Sequence, residues 1–88
     1  MPYIKQEQRN LVDAKIKDLA SAIKGIGKQD RAGVLNYTVS CLIRELYELR
    51  YSEVNEAVGA LECIKQEYYR RLAAPYEDLK IKENGDVY

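Results

Sequence analysis

Apolar residues recur at alternating steps of four and three along three stretches of this chain. That spacing lines up one side of an α-helix, whereas a strand needs steps of two. The first stretch is Val12, Ile16, Leu19, Ile23 and Ile26, and the second is Leu35, Val39, Leu42, Leu46 and Leu49. The third is Val54, Ala57 or Val58, Leu61, Ile64, Tyr68 and Leu72. Three helices are therefore expected, and their ends are read from capping residues. Helix one spans about 13 to 25, with Asp13 as N-cap, the polar run Lys5 to Asn10 forming a separate short turn, and Gly25 and Gly27 as stops. Lys28-Gln29-Asp30 connects it to helix two, about 31 to 50, with Asp30 placed to cap it. Ser52 is the expected N-cap of helix three, with Glu53 in its first turn, and Pro75 ends it by pushing its predecessor out of helical geometry.

The break at Arg50-Tyr51-Ser52 is short enough to fold helices two and three into an antiparallel hairpin, with helix one packed across it. Beyond Pro75 the pattern changes. Asn84-Gly85, between Ile81-Lys82-Glu83 and Asp86-Val87-Tyr88, is a strong type I′ hairpin signal. The expected fold is all-α: a three-helix domain over 1–75, a short helix plus a long antiparallel helical hairpin, with an extended or β-hairpin tail over 76–88 in the same single domain. Such a lone hairpin is marginal, so it must lean on this subunit or a neighbour.

At 88 residues the chain has a modest core, and docking with a copy of itself is an expected source of further stability. Fourteen basic and fourteen acidic side chains cancel, which speaks against a general nucleic-acid binder. There is no His, and the two cysteines, Cys41 and Cys63, lie inside helices, so zinc-finger spacings and Ser-His-Asp or Cys-His catalysis are excluded. Both thiols are expected to be free, as small hydrophobes in a reducing cytoplasm. No signal-like or membrane-spanning apolar stretch is present, and a cytoplasmic location is expected. No cofactor or metal is expected.

Two constellations stand out. Asn55, Gly59, Glu62, Gln66 and Tyr69 form a polar seam beside the apolar stripe of helix three, and the hairpin sets Asn36 and Tyr37 opposite Lys65 and Gln66. The seam fixes helix register, floors a polar pocket or is simply a solvated face, and in the first two cases its buried polar groups need partners. The second is Tyr68-Tyr69-Arg70-Arg71, with Lys65 one turn back and Tyr76 just beyond. All eight aromatic residues are tyrosines, which suits half-buried interfaces. Two phenols beside two guanidiniums have the chemistry to stack a base and neutralise a phosphate. The plainer reading makes Tyr68 and Leu72 core and sets the arginines at the negative end of the helix dipole. Glu45, Glu48, Glu53 and Glu56 bracket the turn as i, i+3 pairs, the kind of acidic set that holds Mg²⁺ in all-helical nucleotide pyrophosphohydrolases. Arg44 and Arg50 stand ready as counter-ions, and surface ion pairing is the simpler account.

The opening Met1-Pro2-Tyr3-Ile4-Lys5-Gln6-Glu7, the central Leu35-Asn36-Tyr37, the stretch Asn55 to Cys63, Tyr69-Arg70-Arg71 and the closing Pro75-Tyr76-Glu77-Asp78 and Lys80 to Tyr88 carry a resemblance. Together they resemble a small uncharacterised family encoded by bacteria and their phages, with an MPYIKQE-type start and a PYEDxKIKENGDVY-type end. Where members of that family commonly have Glu-Asp-Arg, this chain has Glu7-Gln8-Arg9. The resemblance implies a stand-alone intracellular protein and brings no activity with it.

The leading expectation is a non-enzymatic helical homo-oligomer that binds a small anionic, nucleotide-type ligand between subunits, as a phage-encoded sequestering protein would. In it Tyr68, Tyr69 or Tyr76 stacks on a base, Lys65, Arg70 and Arg71 meet phosphate, and Asn36, Tyr37, Asn55 and Glu62 supply polar contacts. The alternative is a protein interaction module that inhibits a host protein. A Mg²⁺-dependent nucleotide hydrolase is third.

Overall fold

A computed structural model describes residues 4–88, so the Met1-Pro2-Tyr3 opening of the family motif lies outside the described residues. The fold is all-α, and among the described residues there is no strand. The chain divides into two units, one ending at Leu42 and the other beginning at Ile43.

In the first unit α1 runs Gln6–Lys24 as one helix, so the polar run after Lys5 is its first turn and Asp13 lies in its interior. The reason is a side chain that reaches back from inside the helix to cap its start. Lys5 takes an extended N-cap conformation and its N–H donates to Gln8 Oε1 at 2.9 Å, while Glu7 complements the dipole. At the other end the Gly25 N–H donates to the Ser21 and Ala22 carbonyls. A single 3₁₀ turn, Lys28–Asp30, feeds directly into α2, Arg31–Leu46. Arg31, Val34, Thr38 and Cys41, spaced three, four and three apart, form the sheltered face of α2, and Thr38 Oγ1 donates to the Val34 carbonyl at 2.8 Å. The stripe of α1 is open, with Ile16 58% and Leu19 45% exposed, because α1 and α2 do not pack along their lengths.

The second unit starts with the last turn of α2, which stops at Leu46 and not near 50. Residues 47–50 form the connection, and α3 then runs Tyr51–Tyr68. Its N-cap is Arg50, extended at φ −128°, and not Ser52. What fixes this start is Glu53, whose carboxylate accepts the Glu48 N–H at 3.0 Å and faces the Arg50 guanidinium at 3.7 Å, while Arg50 also pairs with Glu48 at 3.1 Å. A side chain reaching back across the turn replaces the hydroxyl cap expected from the sequence.

Pro75 does not end the helix. α3 passes into a π turn, Tyr69–Ala73, in which the Ala74 N–H donates to the Tyr69 carbonyl five residues back. The chain then continues as α4, Ala74–Asn84. A proline in a helix interior lacks one donor, and its ring strikes the carbonyl four residues earlier, here that of Arg71. The widened turn immediately before Pro75 moves that carbonyl aside, so helical structure persists for 34 residues (18, 5 and 11), about 50 Å at 1.5 Å per residue.

The tail is therefore a correction. Residues 76–84 are helical, neither extended nor a β-hairpin, and Asn84-Gly85 is a helix stop: Gly85 takes φ 88°, and its N–H donates to the Ile81 carbonyl at 2.8 Å. Lys80 and Glu83, 3.1 Å apart on successive turns, favour the helical alternative.

Among the described residues Ala57 alone is buried, at 6% exposure. Val58, Ile64, Tyr68 and Leu72 stay more than half exposed along the stripe of α3 and the π turn. No helix among the described residues is long and apolar enough to cross a membrane.

Candidate functional site

The polar face of the second unit is built from one helix, so its geometry follows from the rotation of about 100° per residue. Glu62, Lys65, Gln66, Tyr69 and Arg70 line a broad, open surface depression together with Cys63 and Glu67. The three-residue step from Glu62 to Lys65 puts the ammonium 2.9 Å from Glu62 Oε2, and the four-residue step to Gln66 brings its Nε2 within 3.0 Å of the same oxygen. The Lys65 and Gln66 hydrogen bonds hold the Glu62 carboxyl below the usual carboxylate range. A depressed carboxylate contributes stability above its unfolded value and loses it as pH falls through the folded one, so this cluster weakens only in acid. Replacing Lys65 with Met is expected to move Glu62 back toward its ordinary value, still lowered by Gln66, in a carboxyl-carbon NMR titration. An unchanged Glu62 titration would break this assignment.

Tyr69 owes its partner to the π turn. In an uninterrupted α-helix, residues eight apart are about 80° out of line, whereas the extra residue of a π turn sets them back to within about 20°. Tyr69 and Glu77 thus share a side, and the phenol donates to the Glu77 carboxylate. That bond and the charge of Glu77 push the Tyr69 hydroxyl above its ordinary value, so its contribution is present below the unfolded tyrosine value and is lost as pH rises through the folded one.

The site residues expected from the sequence are thus sorted. Glu62, Lys65, Tyr69 and Arg70 are brought together. Tyr68 and Arg71 are not among the residues lining that depression. Tyr76 lies beyond the π turn with Lys80 Nζ 5.5 Å from its ring centre, and Lys80 is tied to Glu83. Asn55 is exposed on α3, two turns before Glu62. Asn36 and Tyr37 lie on α2 in the first unit. Among the described residues no ion pair takes up Arg70 or Arg71.

Of the four turn carboxylates, Glu48 and Glu53 are drawn together by Arg50. Among the described residues no three His, Cys, Asp or Glu side chains come close enough to hold a metal ion. The pairing of Arg50 with Glu48 and Glu53 is the surface ion pairing expected from the sequence, whereas sequence reasoning missed Glu77, which no regular helical spacing pairs with Tyr69.

Fold and site together define an all-α protein with an open, charged helical face among its described residues. A family model described as Domain of unknown function (DUF6899) matches residues 1–87, and the chain belongs to that family. No curated protein and no solved structure matches it.

Proposed function

We propose that this protein is a non-enzymatic helical homo-oligomer whose assembled form binds a small anionic ligand of nucleotide type. One observation supports the assembly: Val58, Ile64, Tyr68 and Leu72 along α3 and the π turn are 57–64% exposed, Leu35 and Leu42 along α2 are 54–55% exposed, and Ala57 alone is buried among the described residues. Exposed apolar stripes of this kind mark surfaces that associate.

The ligand reading rests on Arg70, which has no carboxylate partner among the described residues and lines the same depression as Lys65 and Tyr69. A guanidinium without a counter-ion is free to take phosphate, and a phenol ring offers a stacking surface. Lys65 joins only by giving up Glu62, so the arrangement favours a ligand with enough negative charge to compete.

Sedimentation equilibrium is expected to give a dimer or larger species at micromolar concentration, and a monomer that keeps its helicity on dilution would end this reading. Calorimetric titration with a panel of nucleotides and cyclic nucleotides is expected to detect binding that Arg70→Ala weakens at least tenfold. An assembled protein that binds none of them would leave the alternative, a module that docks on a host protein.

A further inference from the structure

The apolar stripe of α3 continues through the π turn as Val54, Val58, Leu61, Ile64, Tyr68 and Leu72, all 39–64% exposed. Charge is distributed unevenly beside it. Residues 51–62 hold three acidic groups, Glu53, Glu56 and Glu62, and no basic one, a net of −3. Residues 63–73 hold Lys65, Arg70 and Arg71 against Glu67, a net of +2. A second copy laid parallel and in register sets −3 against −3 and +2 against +2. Laid antiparallel, it sets each acidic half over a basic half.

We infer that the stripe is the site at which a second copy docks, antiparallel, about a two-fold axis passing close to Leu61. This rests on the self-association proposed above and adds its surface and its direction. With the axis there, positions whose numbers sum to 122 meet: Leu61 packs against its own copy, Val58 against Ile64, and Val54 against Tyr68. The pattern is self-complementary, as an isologous interface must be, and it pairs a small β-branched side chain with the largest ring on the stripe. Glu53 comes to the level of Tyr69, Arg70 and Arg71 of the copy, where Arg71 lies on the matching flank. The pairs Glu62–Lys65 of the two copies then lie near the axis, each carboxylate about 7.5 Å along the helix from the opposite ammonium's position. A gradient from acidic to basic also suits the dipole of α3 itself, so direction is decided by proximity between copies.

The experiment uses the full chain with Cys41→Ser and Cys63→Ser, in two versions, Val54→Cys and Tyr68→Cys, refolded separately and as an equal mixture and then oxidised mildly. In the antiparallel arrangement Val54 lies level with Tyr68 of the copy and about 21 Å along the axis from its own equivalent, well beyond disulfide reach. The expected result is that about half of the mixed protein, the share in mixed pairs, runs as a disulfide-linked dimer of one Val54→Cys and one Tyr68→Cys chain. Either version alone links only in traces. Self-linking of Val54→Cys would establish a parallel pair and overturn the inference. An oligomer by sedimentation that links in neither sample would place the copy on another face, again overturning it, while leaving self-association intact. A monomer by sedimentation would overturn both.

Discussion

Leu61→Asp is expected to dissolve the assembly. In the antiparallel pair each copy of Leu61 faces the other across the two-fold axis, so one substitution acts twice and sets two carboxylates against each other. Truncating a buried leucine costs about 2–5 kcal/mol even without a charge, and a dimer losing about 5 kcal/mol dissociates several thousandfold more readily. At micromolar concentration the variant should sediment as a monomer. It should also lose helicity, because with Ala57 as the buried residue among those described, a lone copy has little core to hold its helices. Cys63→Ser is the control. Cys63 is exposed, two steps of about 100° from Leu61, and its replacement should leave both sedimentation and ellipticity unchanged. If Leu61→Asp remained an oligomer of normal helicity, the stripe would not be the docking surface.

Pro75→Ala carries the second large effect. Proline inside a helix costs about 3 kcal/mol relative to alanine, and the π turn before Pro75 is the local adjustment that tolerates it. With alanine the turn is free to tighten to α geometry, which restores a regular hydrogen bond and raises the thermal midpoint by roughly 10 °C for a domain of this size. Tightening has a second, separable signature. Tyr69 and Glu77 fall about 80° out of line, their hydrogen bond is lost, and the Tyr69 hydroxyl drops back toward its ordinary value. Phenolate absorbance as a function of pH reads this directly. A raised midpoint with Tyr69 still titrating high would mean that the π turn is held by something other than Pro75.

The helices were legible because four-three spacing is a direct record of which side of a helix is apolar, and the segments placed on Ile16, Leu42 and Leu61 are the helices observed. Their ends were less so. Asp13 and Ser52 have the right chemistry for N-caps, but Gln8 and Glu53 reach back to backbone donors from inside the helix, and a reach of that kind depends on side-chain conformation as well as residue type. Pro75 and Asn84-Gly85 were misjudged for a related reason. Each is a strong local stop, yet Leu72, Tyr76 and Leu79 continue the four-three step straight across the proline. Periodicity outweighed the local signal, and one widened turn reconciled them. The candidate site divided along the same line. Glu62, Lys65 and Gln66 are joined by ordinary three- and four-residue steps and could be read in advance, whereas Tyr69 with Glu77 depends on a register shift that leaves no mark in composition.

That shift also sets how far a docked copy can extend. Every residue after the π turn is turned back by about 100° relative to the stripe before it. Leu79, which would prolong the stripe in a straight α-helix, is rotated off it, while Tyr76 is carried from its middle to its edge. A copy lying along residues 54–72 therefore meets a narrowing apolar surface beyond the π turn, while a fresh surface begins on another side. The same rod is keyed twice, like a shaft with two flats cut at different angles, and filling the first leaves the second open.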